Sequence, residues 1–289
     1  MVDINRSTSG VLLPEAVSGE ILAKVQEASV IQRAARRVAL PGSGVAFQQL
    51  TGDPSAAWVG ETGVKSVSNG TVGSKTLRPY KLAVIETFSN EFRRDKGALY
   101  QALIGRLPGA LAKKFDETVF HGTAPGSDFD TLDGVTDVAL GDGAYDGFVS
   151  ALETIAVAGY DANGIIVAPQ LEAMLFSAKD GNERPLFIDN ASMDGSIGSV
   201  LGRPTFKSRA AYESGTPNVV GYMGDWSQAI WGTVEDVQIK ISDQATLTAG
   251  EDTINLFQQN MFAVLAEIEV GFIVGDEDAF VVLTDEASA

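Results

Sequence analysis

The spacing of apolar residues changes several times along this chain, and each change predicts an element. Between 97 and 121, Leu99, Leu103, Leu107, Leu111, Phe115 and Val119 recur at every fourth position. That spacing lays an apolar ridge along one side of a long helix. Gly122 follows as a stop. Pro108-Gly109 is expected to kink or interrupt it, because proline lacks a backbone donor and crowds the preceding turn. Over 261–274 the period falls to two. Val264, Ala266, Ile268, Val270 and Phe272 alternate with Leu265, Glu267, Glu269 and Gly271, which predicts a strand.

Weaker patterns fill in the remainder. Ile21, Leu22, Val25, Ala28 and Ile31 predict a helix over 18–37, preceded by a polar arm at 1–20. A helix is expected at about 145–158, from Phe148, Leu152 and Ile155. A buried strand at 164–168 and a helix opened by Pro169 follow. Further strands are expected at 204–206, 218–222, 228–231, 237–241 and 279–284, and loops over 123–147. The order of elements is that of an α+β protein.

One segment does not fit a self-contained core. Ala46–Leu50 and Ala57–Val59 read as one side of an extended ribbon, with Leu77 and Lys81–Phe88 as the other. A Gly, Ser and Asn-rich stretch over 65–74 lies between them. A lone two-stranded ribbon is marginal in water. Its apolar side chains need cover, and another subunit is the natural source.

Composition narrows the class. The chain has 289 residues, 45% apolar and 20% charged, enough for a large core in one or two domains. It has no cysteine, hence no disulfide and no thiolate metal site. No apolar run approaches the ~18 residues that span a bilayer, and the first residues lack a signal-peptide pattern. The net charge of −17 is uneven: residues 1–125 carry 15 Lys and Arg against 11 Asp and Glu, whereas residues 126–289 carry 6 against 27. The whole chain repels polyanions, yet its basic N-terminal part can lie near DNA.

Catalytic patterns are weak. His121 is the only histidine and no Gly-x-Ser-x-Gly elbow exists, so at the helix end it reads as a partner for the last carbonyls. Asp128, Asp130 and Asp133-Gly134 depart from calcium-loop spacing and read as loop caps. Neither glycine-rich phosphate motif is present. The residues thus lead to no expected catalytic site, cofactor or metal.

Five motifs in order carry a family resemblance. They are Trp58-Val-Gly-Glu61 with Lys81-Leu-Ala-Val84; Ser89-Asn-Glu-Phe-Arg-Arg-Asp95; Ile166-Val-Ala-Pro169 followed by Lys179-Asp-Gly-Asn-Glu-Arg-Pro-Leu-Phe187; Leu201-Gly-Arg-Pro204; and Gly224-Asp-Trp-Ser227. Together they resemble the major capsid proteins of tailed double-stranded DNA phages, whose fold encapsulins share.

The resemblance implies an N-arm at 1–40 and an extended E-loop at 41–88. It implies a P-domain at 89–129 and 248–289, with the long spine helix, and an axial A-domain at 130–247. The function implied is a head subunit forming pentamers and hexamers of an icosahedral shell around packaged DNA. Its place is the virion, assembled in the host cytoplasm, with scaffold, portal and decoration proteins as further partners. The alternative is an encapsulin-like compartment holding a cargo enzyme. Intersubunit contacts are expected at Trp58, Glu61, Lys65, Lys75 and Arg78. Arg33, Arg36, Arg37, Lys113 and Lys114 are candidates to face DNA, and Pro108 and Gly109 to act as a hinge. Some family members weld subunits through a Lys–Asn isopeptide bond with a glutamate base, and Lys65, Asn260 and Glu267 stand at matching positions. The competing reading of Lys65 and Glu267 is ordinary ion pairing.

Overall fold

The computed structural model describes residues 29–51, 56–65, 67, 71–90, 96–141, 144–177, 196–235, 237–249 and 252–285. The expected arm, the start of the first helix, residues 91–95 and the Lys179–Phe187 motif lie outside the described residues.

The elements form two sheets with helices against them. A short helix α1 (Val30–Ala34) leads into β1 (Arg36–Ala39). A ribbon, β2 (Val45–Thr51) and β3 (Thr71–Leu77), is followed by β4 (Tyr80–Ser89) and the long helix α2 (Lys96–Phe120). Then come β5 (Thr136–Ala139), α3 (Tyr145–Val157), β6 (Gly164–Val167), α4 (Pro169–Ser177), β7 (Ser196–Val200) and β8 (Arg203–Lys207). The chain closes with β9 (Val219–Gly224), β10 (Ala229–Thr233), β11 (Gln238–Ser242), a small hairpin of β12 (Thr246–Ala249) and β13 (Asp252–Asn255), β14 (Met261–Val274) and β15 (Phe280–Thr284).

The five-stranded sheet is organised by β14. One of its edges pairs with β4 along Met261–Val270, and the other takes β11 and then β10, which carries β1 in parallel. The six-stranded sheet runs β5-β15-β9-β6-β8-β7. Sheet membership does not follow a division at 247/248. β10 and β11 precede that point yet join β14, and β15 follows it yet sits beside β9.

The predicted periodicities explain the packing. Along β14, Val264, Ala266, Ile268 and Val270 are buried, with Leu265, Glu267 and Glu269 between them less so. The α2 ridge of Leu107 and Leu111 packs on Phe262, Val264 and Ile268. Each fully buried side chain of this size contributes about 1.5–3 kcal/mol. Farther along α2, Phe115, Val119 and Phe120 enter a core that joins both sheets through Trp231, Phe272, Tyr222 and Phe280. A separate core under the six-stranded sheet holds Phe148, Ile155, Leu171 and Val281.

Several expectations change. β5 (Thr136–Ala139) lies within 123–147, a stretch expected to be loops, and is extended by parallel pairing with β15. α2 is not interrupted at Pro108 but runs unbroken through it. The buried Leu107 and Leu111 on either side fix the helix despite the carbonyl that proline leaves without a donor. The basic cluster does not end a helix, because Arg36 and Arg37 lie on β1, drawn into extended form by parallel pairing with β10. Lys81–Phe88 is not the second side of the ribbon. It is β4, paired with β14, and β2 pairs with β3 instead.

Candidate assembly surfaces

The ribbon has two parts with different surroundings. At its root, Leu77 is fully buried with Leu40 and Ile273, and Val45 and Phe47 pack against this group. The Lys75 ammonium donates to the Val274 carbonyl at 2.8 Å and lies 3.1 Å from an Asp130 carboxylate oxygen. That same oxygen accepts from the Val274 N–H at 2.9 Å. Arg78 sits 3.4 Å from Asp128. Gly271 of β14 lies so close beneath that an added Cβ would strike the Arg78 carbonyl and Leu77. Its missing side chain lets the ribbon root pass directly over the sheet.

The outer part is uncovered. Trp58, Val64 and Val67 are almost wholly exposed, Val59 partly so, and Glu61 and Lys65 beside them are exposed as well. The Gly63 N–H donates to the Gly60 carbonyl at 3.0 Å, closing a tight turn with Glu61 and Thr62 at its centre. Ala57–Val59 forms no strand.

The three residues matched to isopeptide chemistry occupy different settings. Lys65 is exposed in the outer loop. Asn260 precedes β14 with φ 53. Its side-chain carbonyl accepts from the Asn90 amide at 3.0 Å, and its backbone carbonyl accepts from the Asn90 N–H at 2.9 Å. Glu267 lies between Lys240 at 3.5 Å and Lys81 at 3.9 Å. Its carboxylate is thus engaged by two ammonium groups of its own chain.

The basic residues are also drawn into local contacts. Arg33 lies over Phe206 at 5.3 Å, and Arg37 over Trp231 at 5.4 Å. Lys113 is 3.5 Å from Glu117, one turn along α2. Arg36 and Lys114 are exposed and make no ion pair among the described residues. Lys114 lines a mostly apolar pocket of about 160 Å³ between α2, β4 and the loop 123–129.

His121 bonds through Nε2 to the Ala210 carbonyl at 2.9 Å. It ties the end of α2 to the neighbouring 3₁₀ turn at Arg209–Ala211 and not to the last carbonyls of its own helix. Among the described residues no group of three or more His, Cys, Asp or Glu is arranged to hold a metal ion.

One functional-looking group went unread in the sequence. Asp116 of α2 is almost wholly buried, accepts from Ser29 Oγ at 2.5 Å and from the Val30 N–H at 3.0 Å, and so caps α1. Burial pushes its carboxyl up to about 7, against the lowering pull of those hydrogen bonds.

A model of the phage capsid family matches residues 9–285. The chain belongs to that family. It is 33% identical over 296 residues to the probable major capsid protein gp17 of Mycobacterium phage D29, covering 96% of this chain and 91% of the relative. Its identity to the protein of the same description in Mycobacterium phage L5 is 34% over 298 residues, with 96% and 90% covered. Among solved structures, a chain of Gordonia phage Cozz superposes with a TM-score of 0.70 at 25% identity, covering 90% of this chain and 87% of that one. The capsid of a native GTA particle gives 0.69 at 15% identity over 99% and 96%, which speaks to the fold alone. The mixed helix and strand architecture described above is thus that of the phage capsid fold.

Proposed function

We infer that this chain is a major capsid subunit, a structural protein that builds the shell of a phage head from many copies of itself. One observation carries the reading. A chain of the phage capsid family holds Trp58, Val64 and Val67 out in water, at the end of a ribbon whose root is firmly packed. Large apolar side chains kept exposed in this way mark a contact surface. Many copies, each covering a neighbour's ribbon, remove that surface from water.

On this reading the copies form pentamers and hexamers of a closed head, assembled in the host cytoplasm, and DNA fills the interior. The five-stranded sheet and α2 make the peripheral part of the subunit, and the six-stranded sheet the axial part. Arg36 and Lys114 are the basic residues freest to meet DNA phosphate, because Arg33, Arg37 and Lys113 already have partners. Pro108 and Gly109 are the place where α2 bends between shell states. Lys65 of one copy attacks the Asn260 side-chain carbon of another, forming an amide and releasing ammonia, with Glu267 taking the lysine proton. Asn90 supports that chemistry by donating to the Asn260 carbonyl oxygen. The pairing of Glu267 with Lys81 and Lys240 weighs against it.

The experiment is direct. Purified full-length protein, alone and with co-expressed neighbouring head genes, is imaged by cryo-electron microscopy. Closed shells are expected. A folded chain that stays monomeric at every concentration and with every co-expressed head protein overturns the reading. Boiled particles on denaturing gels decide the weld: ladders support it, and monomer bands alone remove it.

A further inference from the structure

The exposed Trp58 and the pocket beside Lys114 are complementary, and each copy carries both. The pocket floor is Leu82, Phe115, Phe129 and Val270, with Lys114 and Thr123 at the rim. Phe129 meets Phe115 edge to face at 6.4 Å and Tyr80 at 6.0 Å. An aromatic ring therefore finds edges and faces of the kind it packs against. At about 160 Å³ the pocket is of the size that takes a benzene-like ring, as an apolar cavity of ~150 Å³ does.

The pocket is also held open by the backbone. Tyr80 Oη accepts from the Asp128 N–H at 3.3 Å, and Gly126 lies flat against the Tyr80 ring, where any Cβ would collide with it. This fixes the loop wall without a ligand. At the rim, Lys81 is already engaged by Glu267 and Glu269. Lys114 has no such partner among the described residues, and on the outer loop Glu61 has none either. The apolar anchor and the acid of the outer loop thus face an apolar floor and a lysine at the pocket.

Resting on the reading of this chain as a shell subunit, we propose that Trp58 of one copy seats in this pocket of a second copy, with Glu61 meeting Lys114 at the rim. The contact joins two different patches, so it is head to tail, and it propagates into rings and closed shells instead of stopping at a dimer. Seating the indole removes about 150–250 Å² from water, and the ion pair fixes the direction of entry.

The absence of cysteine makes the test clean. Val59→Cys and Thr123→Cys are made in two full-length versions of different size, co-assembled and oxidised. Particles should yield a mixed disulfide dimer far in excess of either homodimer. Phe257→Cys, on an exposed turn elsewhere, should give none. Lys114→Glu should lower particle yield by about tenfold, and adding Glu61→Lys should restore it. Well-formed particles without the Val59–Thr123 dimer overturn the proposal, as they would if residues 1–28 of the same chain filled the pocket. So does a dimer with Phe257→Cys in its place, or no effect of Lys114→Glu. Failure of the unmodified chain to form any shell strikes instead at the shell reading beneath it.

Discussion

The root and the outer loop of the ribbon use similar residues for opposite ends. Leu77, Val45 and Phe47 at the root are covered by Leu40 and Ile273 of the same chain, and Lys75 is bonded to Val274 and Asp130. Trp58, Val64 and Val67 are just as apolar, yet nothing among the described residues covers them. Read from the sequence alone, the whole of 45–88 is a surface needing a neighbour. The structure divides it. The root is a cantilever mount, stable in the lone subunit, and the loop is what the mount presents. Substitutions should therefore separate folding from assembly along a single ribbon.

The largest contrast is between Leu77→Ala and Trp58→Ala. Leu77→Ala opens a cavity where the root meets β14 and should cost about 2–5 kcal/mol of subunit stability. Trp58→Ala removes a side chain that already stands in water. It should leave the urea midpoint of the unassembled subunit within about 0.5 kcal/mol, while particle yield falls. Equal losses of stability in the two variants would erase the distinction between root and loop.

Asp116 sharpens the comparison from a second anchor, the one joining α1 to α2. Its folded pKa of about 7 lies above the ordinary 3.8. The folded state therefore binds the proton more tightly than the unfolded one. The stability this group contributes is present in full below about pH 4 and declines as pH rises through 7. At about 1.4 kcal/mol per unit, the decline is on the order of 4 kcal/mol over that window. Urea melts of the subunit at pH 5 and pH 8 should differ by much less in Asp116→Asn than in the parent. Parallel pH profiles for the two proteins would refute the assignment.

What was legible in the chain follows from how local each signal is. The alternation at Val264–Phe272 and the Leu107–Val119 ridge identify β14 and α2, because a buried face imposes its period on the residues that make it. The outer loop was legible only in its need for cover: Ala57–Val59 reads as part of a strand because Ala, Trp and Val stand together, yet it pairs with nothing among the described residues and forms none. Partners distant in sequence were not legible. β4 bonds to β14 some 180 residues later, and nothing in Lys81–Phe88 distinguishes that partner from β2. The same holds for β1, four residues with two arginines, which is a strand only because β10 lies beside it. Asp116 looks like any helix acid until Ser29, 87 residues away, is found against it. At Pro108 the expected interruption does not occur, because packing on both sides outweighs its local penalty.

A smaller effect is expected at the root's polar fastening. Lys75→Met keeps the aliphatic stem and removes the ammonium. Asp130 still accepts from the Val274 N–H, so no buried carboxylate is left without a partner. The loss should be about 1–2 kcal/mol in chemical denaturation, the range for a partly exposed charged hydrogen bond. Isolated subunits should show it as clearly as assembling ones.

Arg78 tests where the mount ends. Its guanidinium is more than half exposed and stands 3.4 Å from Asp128. An exposed pair of this kind contributes at most about 0.5 kcal/mol, because water and salt screen it and two side chains lose freedom in making it. Arg78→Ala should thus leave the denaturation midpoint of the lone subunit almost unmoved. If particle yield falls all the same, Arg78 meets a neighbour and belongs functionally with the loop, although it sits in sequence at the root. If yield is unchanged, the boundary between mount and contact surface lies farther out, between Leu77 and Lys65. A stability loss above 1 kcal/mol would show instead that Arg78 fastens the ribbon to the 123–129 loop and that the root extends past β3.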